Sequence, residues 1–149
     1  MDISIVPLDY EHIKEVSNLS ASAFPKAEQW DVFSLKGELV KHISHSFVAL
    51  HQDKVIGFVG MWIIVDEAQI NTIVIDSNYR NTGVGTALLT HIINYCKELN
   101  VISISLEVRE SNEAAKKLYI NKGFFIEGER KNYYSNNGET ALLMKLNLN

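Results

Sequence analysis

Apolar residues recur along the chain with two periods, and the change of period separates helices from strands. Ile13, Val16 and Leu19 repeat at helical spacing within residues 10–22, and Leu88 and Ile92 do so within residues 84–99. The same reasoning predicts helices at residues 31–41 and 113–121. Alternating or continuous apolar runs between turn residues predict strands at residues 2–6, 46–50, 55–65, 68–75, 101–108, 124–133 and 140–146.

The order of these elements indicates the fold class. One strand is followed by two helices, three strands, a helix, a strand, a helix and two strands. Strands and helices are neither strictly alternating nor segregated, which favours an α/β (α+β mixed) fold with a mixed sheet and helices on both faces. A length of 149 residues predicts one domain over residues 1–149.

Composition narrows the class of protein. Hydrophobic residues make up 46% and charged residues 21%, as in an ordinary soluble protein. A net charge of -4 argues against nucleic acid as the main partner. Cys96 is the single cysteine, the start of the chain lacks the basic segment of a signal peptide, and the longest apolar run, residues 58–65, is too short to span a bilayer. We therefore expect a cytoplasmic protein without a membrane partner.

The loop R-N-T-G-V-G-T at residues 80–86 lies between a predicted strand and the long helix. Its glycines let backbone N–H groups approach an anion, and the helix dipole adds a partial positive charge. Together these features indicate a pyrophosphate site, although the motif alone also fits a helix start without a ligand. Gly85-Thr86-Ala87 excludes a P-loop, and Leu88 occupies the third glycine position of a dinucleotide fingerprint.

The loop resembles motif A of the GNAT (Gcn5-related) N-acetyltransferases, and the resemblance extends over nearly the whole chain. It is especially similar to the bacterial ribosomal-protein-alanine N-acetyltransferases. The run Leu106-Glu107-Val108-Arg109-Glu110-Ser111-Asn112 is specific, and it is followed by Leu118-Tyr119 and Gly123-Phe124. Weaker matches are Ala23-Phe24-Pro25, Asp66-Glu67-Ala68 and Arg130-Lys131-Asn132-Tyr133-Tyr134.

This resemblance implies a mostly antiparallel sheet of about seven strands with a splayed central pair. It also implies transfer of acetyl from acetyl-CoA to an amine, with a protein N-terminus as the leading acceptor. The residues implied to bind acetyl-CoA are Ile73, Val74, Ile75, Arg80, Asn81, Thr82, Gly83, Val84, Gly85, Thr86 and Asn112. Glu67, Tyr133 and Tyr134 are implied to border the acceptor.

Two residues are implied to be catalytic, Glu107 as the base and Tyr119 as the acid that protonates the departing CoA sulfur. An α-amine has a pKa near 8, so a well-placed carboxylate can deprotonate it, directly or through water. Judged alone, Glu107 also fits an exposed strand residue, and Tyr119 fits a core aromatic. No metal is predicted, because His42 and His45 have no third ligand nearby in sequence.

Three questions about the acceptor stay open in the sequence. Lys26 stands where the family usually has tryptophan, and Trp30 comes four residues later, which alters one wall of the acceptor site. An enzyme of the same fold acting on a polyamine or an aminoglycoside is one alternative. A non-catalytic CoA-binding module is another, although such a module would not need both Glu107 and Tyr119. We expect Asp66 and Glu67 near the mouth of the cleft to favour basic residues in the acceptor.

Overall fold

A mixed sheet of seven strands forms the centre of the protein in the computed structural model, which describes residues 1–148. The strands are β1 (Ser4–Pro7), β2 (Phe47–His51), β3 (Lys54–Ile64), β4 (Glu67–Ile75), β5 (Ser103–Arg109), β6 (Phe125–Arg130) and β7 (Ala141–Asn147). The helices are α1 (Ile13–Ala23), α2 (Val32–Val40), α3 (Val84–Glu98) and α4 (Glu113–Asn121). Short 3₁₀ turns cover Tyr10–His12, Lys26–Glu28 and Ser77–Tyr79.

The spatial order of the strands is β1-β2-β3-β4-β5-β7-β6. Strands β4 and β5 run parallel, and the other neighbouring pairs are antiparallel. The parallel pair needs a long crossover, and α3 supplies it. The predicted fold class, a mostly antiparallel mixed sheet of about seven strands, is confirmed.

Helices cover both faces of the sheet and define two cores. The α3-side core contains Leu88 and Ile92 of α3 and Tyr119 of α4, packed against strand residues such as Ile70 and Leu106. The α1-side core joins residues of α1 and α2 to the other face of the sheet, and its buried members are Leu8, Ile13, Val16, Leu35, Val48, Val55, Phe58 and Val74. Leu88 and Ile92 are fully buried, so truncating either one to alanine should cost about 2–5 kcal/mol of stability.

Two apolar residues within the predicted helix at residues 31–41 and the predicted strand at residues 101–108 are exposed. Phe33 is 86% exposed because it lies two residues, or about 200° of helical rotation, from the buried Leu35. Ile102 is 42% exposed and precedes the first residue of β5. Within residues 1–148, no helix combines the length and apolar character that crossing a bilayer requires.

Candidate active site

Strands β4 and β5 separate halfway along their length. Their parallel pairing runs from Glu67 opposite Ser103 to Ile70 opposite Leu106 and then stops. Beyond that point β4 stays paired with β3 through Ile75, while β5 stays paired with β7 through Arg109. The split therefore leaves one edge of β4 free to pair with an extended ligand.

A β-bulge accompanies the split. Thr72 pairs with Gly60 and Ile70 pairs with Met61, so Asn71 is an extra residue without a partner on β3. A bulge bends its strand and increases the local twist. Asn71 directly follows the last residue paired with β5, so the bend coincides with the point where the strands diverge.

Hydrogen-bond alternation shows which backbone groups of β4 face the gap. The Asp76 N–H donates to the Ile56 carbonyl at 2.8 Å, which makes Ile56 and Asp76 a hydrogen-bonded pair. Because such pairs alternate in an antiparallel ladder, Val74 bonds to β3, and the N–H and C=O groups of Ile73 and Ile75 turn toward the gap. Of the three predicted residues, Ile73 and Ile75 thus offer free backbone groups. Val74 instead lies with its side chain buried in the α1-side core.

The predicted phosphate loop ends at the first turn of α3. Asn81 and Gly83 have φ of 62° and 90°, and the Thr82 hydroxyl donates to the Tyr79 carbonyl. Gly83 is the N-cap residue and forms no side-chain cap bond, whereas α2 and α4 are capped by Asp31 and Asn112. The first N–H groups of α3 therefore lack a side-chain acceptor and sit at the positive end of the helix dipole, which suits a pyrophosphate.

The two glycines of the loop have different roles. A Cβ on Gly83 would meet no protein atom within 4 Å, so the space beside it is open to a ligand. A Cβ on Gly85 would lie 3.3 Å from Leu118 Cδ2, so Gly85 permits close packing between α3 and α4. Val84, between them, is buried and anchors the loop, while Arg80 and Thr82 are exposed, and Thr86 is exposed at the start of α3.

We expect Gly83→Val to weaken acetyl-CoA binding by about 5–100-fold, because a β-branched residue at this positive φ costs about 1–3 kcal/mol and fills space next to the helix amides. Isothermal titration of the folded variant measures the affinity. Gly123→Val is the matched control, since Gly123 has a φ of 98° and ends α4 outside the loop. Equal affinities of the two variants for acetyl-CoA would contradict the assignment of residues 80–86 as the pyrophosphate site.

A cavity of about 900 Å³ passes through the gap between the strands. Leu106 and Val108 belong to the α3-side core, so Glu107 between them points to the opposite face, toward α1 and α2. Tyr119 reaches the cavity from α4 on the α3 side. The two predicted catalytic residues thus line one cavity from opposite faces of the sheet.

Glu107 is partly buried, with 25% of its side chain exposed, and Arg130 Nη1 lies 4.0 Å from its Oε1. The carboxylate raises the pKa of two neighbouring phenols that also line the cavity. A hydrogen bond to Glu107 raises the pKa of Tyr133, and burial followed by the charge of Glu107 raises the pKa of Tyr134 to about 12. Both hydroxyls are therefore protonated donors at neutral pH, beside a carboxylate that can accept a proton.

Tyr119 is 4% exposed, and its ring centroid lies 5.7 Å from that of Phe124. Burial, followed by the neighbouring Tyr134, raises its pKa well above 10.0. None of the hydrogen bonds formed among residues 1–148 engages its hydroxyl. A phenol in this state is a proton donor at neutral pH and can protonate a leaving group formed in the cavity.

Two other predicted residues have clear placements. Asn112 lines the cavity, and its Oδ1 accepts a hydrogen bond from the Ala115 N–H at 3.1 Å, so it caps α4 and keeps its amide N–H groups for a ligand. Glu67 is not among the cavity-lining residues. It begins β4 opposite Ser103, at the end of the parallel pair away from the split, so its carboxylate lies outside the cleft.

Arg109 connects the two walls of the cavity, a feature that the sequence did not indicate. Its Nη2 lies 2.6 Å from Glu28 Oε2 and its Nη1 lies 3.1 Å from Glu139 Oε1, while the guanidinium sits 4.0 Å from the centre of the Tyr134 ring. Hydrogen bonds from Ser111, and then from Arg109, lower the pKa of Glu139 to about 2, so the pair is charged at neutral pH. Glu28 and Arg109 are 81 residues apart, and no local motif predicts such a contact.

Cys96 lies on the buried side of α3, and burial raises the pKa of its thiol to about 11. A thiol in this state is protonated at neutral pH and is a poor nucleophile. Within the part of the chain that the structure describes, no three histidine, cysteine, aspartate or glutamate residues are grouped as metal ligands would be.

Comparisons with known proteins agree with this geometry. The profile of the Acetyltransferase (GNAT) family matches residues 11–124. The Escherichia coli K12 ribosomal protein bS18-alanine N-acetyltransferase is 35% identical over 128 residues, which are 85% of this chain and 83% of the relative. A Bacillus subtilis protein, provisionally assigned to the same reaction, is 37% identical over 140 residues, 93% of this chain and 91% of the relative.

Solved structures match over the whole fold. The crystal structure of the Escherichia coli ribosomal-protein-S18-alanine N-acetyltransferase has a TM-score of 0.89 at 28% identity and covers 99% of this chain and 94% of its own. Ard1 from Thermoplasma volcanium has a TM-score of 0.91 at 25% identity, and the match covers 100% of this chain and 99% of Ard1. The resemblance seen in the loop and in β5 is confirmed: this chain belongs to the GNAT family of acetyltransferases, enzymes that use acetyl-CoA as the acyl donor.

Proposed function

We propose that this enzyme acetylates the N-terminal α-amine of a protein, with the N-terminal alanine of ribosomal protein bS18 as the leading acceptor. The observation that carries the proposal is the cavity lined by the segment between α1 and α2, where Glu107 lies between the walls that Arg109 connects. Two relatives named for this reaction support the choice of acceptor, since each match spans more than four fifths of both chains.

The residues around the gap fit the donor that this family uses. Free backbone groups of Ile73 and Ile75 can pair with the pantetheine amides, and the N–H groups between Gly83 and Thr86 can hold the pyrophosphate. The amide of Asn112 can bond to the pantetheine, and Arg80 and Asn81 border the phosphates. Bound acetyl-CoA supplies an activated thioester.

Glu107 removes the proton from the acceptor amine, directly or through a water molecule, so that the nitrogen lone pair can attack the thioester carbonyl. Whichever N–H of Ile73 or Ile75 is not paired with pantetheine stabilises the negative charge that develops on the carbonyl oxygen. Tyr119 donates its proton to the departing sulfur from the opposite face of the sheet. The amine thus approaches from the α1 side, and the thiol leaves on the α3 side.

Tyr133 and Tyr134 border the acceptor on the wall formed by the loop between β6 and β7. Glu28 lies on the facing wall, so the cavity lining carries two carboxylates, Glu28 and Glu107, and one guanidinium, Arg109. This lining replaces Asp66 and Glu67 as the source of a modest preference for basic acceptors. Such a preference should weaken as salt rises, because exposed charges are screened within about 10 Å at 0.1 M.

We expect an alanine-initiated basic peptide to have a higher kcat/KM than either of two competitors. One is the same peptide with a blocked N-terminus and an internal lysine, and the other is spermidine. An α-amine has a pKa roughly two units below that of lysine, so far more of it is neutral at pH 7. Steady-state kinetics with the three substrates measures the preference. Faster turnover of the lysine peptide or of spermidine would contradict the proposed acceptor while leaving the acetyltransferase activity intact.

A further inference from the structure

Asn71 carries an unexplained polar group at the centre of the active site. Its Nδ2 is shielded from water, and among residues 1–148 it is the one buried side-chain nitrogen or oxygen without a hydrogen-bond partner. A buried donor without a partner costs about 1–3 kcal/mol of stability. Such a group calls for an explanation, and the exchanged amide orientation, with oxygen at the shielded position and Nδ2 toward the cavity, provides one.

A ligand in the cavity can reach the other, unshielded amide atom of Asn71. It lines the cavity and is the bulged residue at which β4 leaves β5. Because Ile70 opposite Leu106 is the last pair, Asn71 and Glu107 are the next residues on the two diverging strands. The side chain that lacks a partner thus lies across the gap from the proposed base.

Packing shows which compartment Asn71 faces. Ile70 packs in the α3-side core, and neighbouring strand residues point to opposite faces, so Asn71 points to the α1 side. Ile73 returns to the α3-side core because the bulge adds one residue between them. The α1 side is the face of Glu107 and of the two walls joined by Arg109. Asn71 therefore faces the acceptor compartment, away from the phosphate loop.

We propose that Asn71 is a specificity-determining residue whose side-chain amide donates a hydrogen bond to the backbone carbonyl of the acceptor's first residue. This inference rests on the proposed function. An N-terminal α-amine always has a carbonyl on the adjacent carbon, whereas a polyamine or a lysine side chain does not. Asn71 and Glu107 together thus recognise the amine and the neighbouring carbonyl as one unit.

Rotation of the Asn71 amide brings the donor atom to the cavity without loss of a protein hydrogen bond. No hydrogen bond among residues 1–148 engages Asn71 Oδ1 either, so rotation about the Cβ–Cγ bond can exchange the two amide atoms. After this exchange, Oδ1 occupies the shielded position and Nδ2 faces the cavity. Unpaired buried carbonyl oxygens are tolerated more readily than unpaired N–H groups, so donation by Nδ2 is the favoured state of the complex.

Two peptide isosteres test the contact in the unmodified enzyme. In one analogue of the alanine-initiated peptide, an E-alkene replaces the first amide and removes the carbonyl. In the other, a ketomethylene unit keeps the carbonyl and removes the N–H. The carbonyl also lowers the pKa of the neighbouring amine, so the two analogues are compared at a pH at which both amines are neutral. We expect kcat/KM there to fall on the order of tenfold for the alkene relative to the ketomethylene analogue. Equal values for the two analogues would overturn the proposal.

The variant Asn71→Leu tests the same contact from the enzyme side. It should lower kcat/KM for the parent peptide on the order of tenfold and abolish the difference between the two isosteres. It should also keep or raise Tm, because it removes an unpaired donor. Asn94→Leu, on the exposed side of α3, is the matched control. It should leave kcat/KM and the difference between the two isosteres unchanged. A variant that lowers Tm and keeps the discrimination would make Asn71 a structural residue.

Failure of the proposed function looks different. In that case the unmodified enzyme does not acetylate the parent peptide, and the role of Asn71 falls with it. Where the peptide is acetylated, the isostere comparison in the wild-type enzyme and in Asn71→Leu decides for or against Asn71.

Discussion

Replacing Glu107 by glutamine is expected to lower kcat by about 10²–10⁴-fold, the usual contribution of a general base. The change keeps the volume of the side chain, and β5 pairs with β7 through its backbone, so the fold should be retained. The 4.0 Å contact with the exposed Arg130 should contribute little to stability. Steady-state kinetics on an alanine-initiated peptide, together with titration of acetyl-CoA, separates turnover from binding.

Glu110→Gln is the matched control for this experiment. Glu110 directly follows β5, is exposed and does not line the cavity, so its variant should retain the wild-type rate. A wild-type rate for Glu107→Gln across the pH range would return Glu107 to the role of an exposed strand residue. In that outcome, a water molecule or another group would act as the base.

Replacing Tyr119 by phenylalanine is expected to lower kcat by a comparable factor of about 10²–10⁴ and to change the affinity for acetyl-CoA little. Only a hydroxyl is removed, so the packing against Phe124 should survive. The effect should fall on kcat more than on KM, because the proton is needed only as the thiolate leaves. Tyr95→Phe, on α3 and outside the cavity lining, is the control.

The pH profile gives an independent test of Tyr119. An acid is active below its pKa, and burial raises the pKa of Tyr119 above its ordinary value of 10.0. The wild-type enzyme should therefore show no loss of activity from this group below pH 10.0. A wild-type kcat in Tyr119→Phe would make Tyr119 a core residue with no role as the acid.

Much of the fold could be predicted from local pattern. The spacing of Leu88 and Ile92 indicates the buried face of α3. The alternation of side chains along β5 is enough to put Glu107 on the other face of the sheet from Leu106 and Val108. These are properties of the helix and strand periods, which neighbouring residues determine. The exposure of Phe33 does not follow from the pattern, because the tertiary position of a nine-residue helix decides which of its apolar residues reach the core.

The geometry of the acceptor side could not be predicted, because it depends on strand register and distant contacts. Nothing local marks Asn71 as a bulge, since the bulge is defined by its pairing with β3. The Arg109–Glu28 contact joins segments far apart in the chain. Glu67 was assigned to the cleft from its place in a motif, and only the pairing with Ser103 shows that it lies at the other end of the strand.

The enzyme is expected to transfer an acetyl group from acetyl-CoA to a protein N-terminal α-amine. Incubation with acetyl-CoA and a basic peptide that begins with alanine and carries an internal lysine, followed by fragmentation mass spectrometry, tests this expectation most directly. We expect a single acetyl group on the α-amine of the alanine, with transfer lost in Glu107→Gln. Acetylation of the internal lysine instead, or no transfer by an enzyme that binds acetyl-CoA, would contradict the claim.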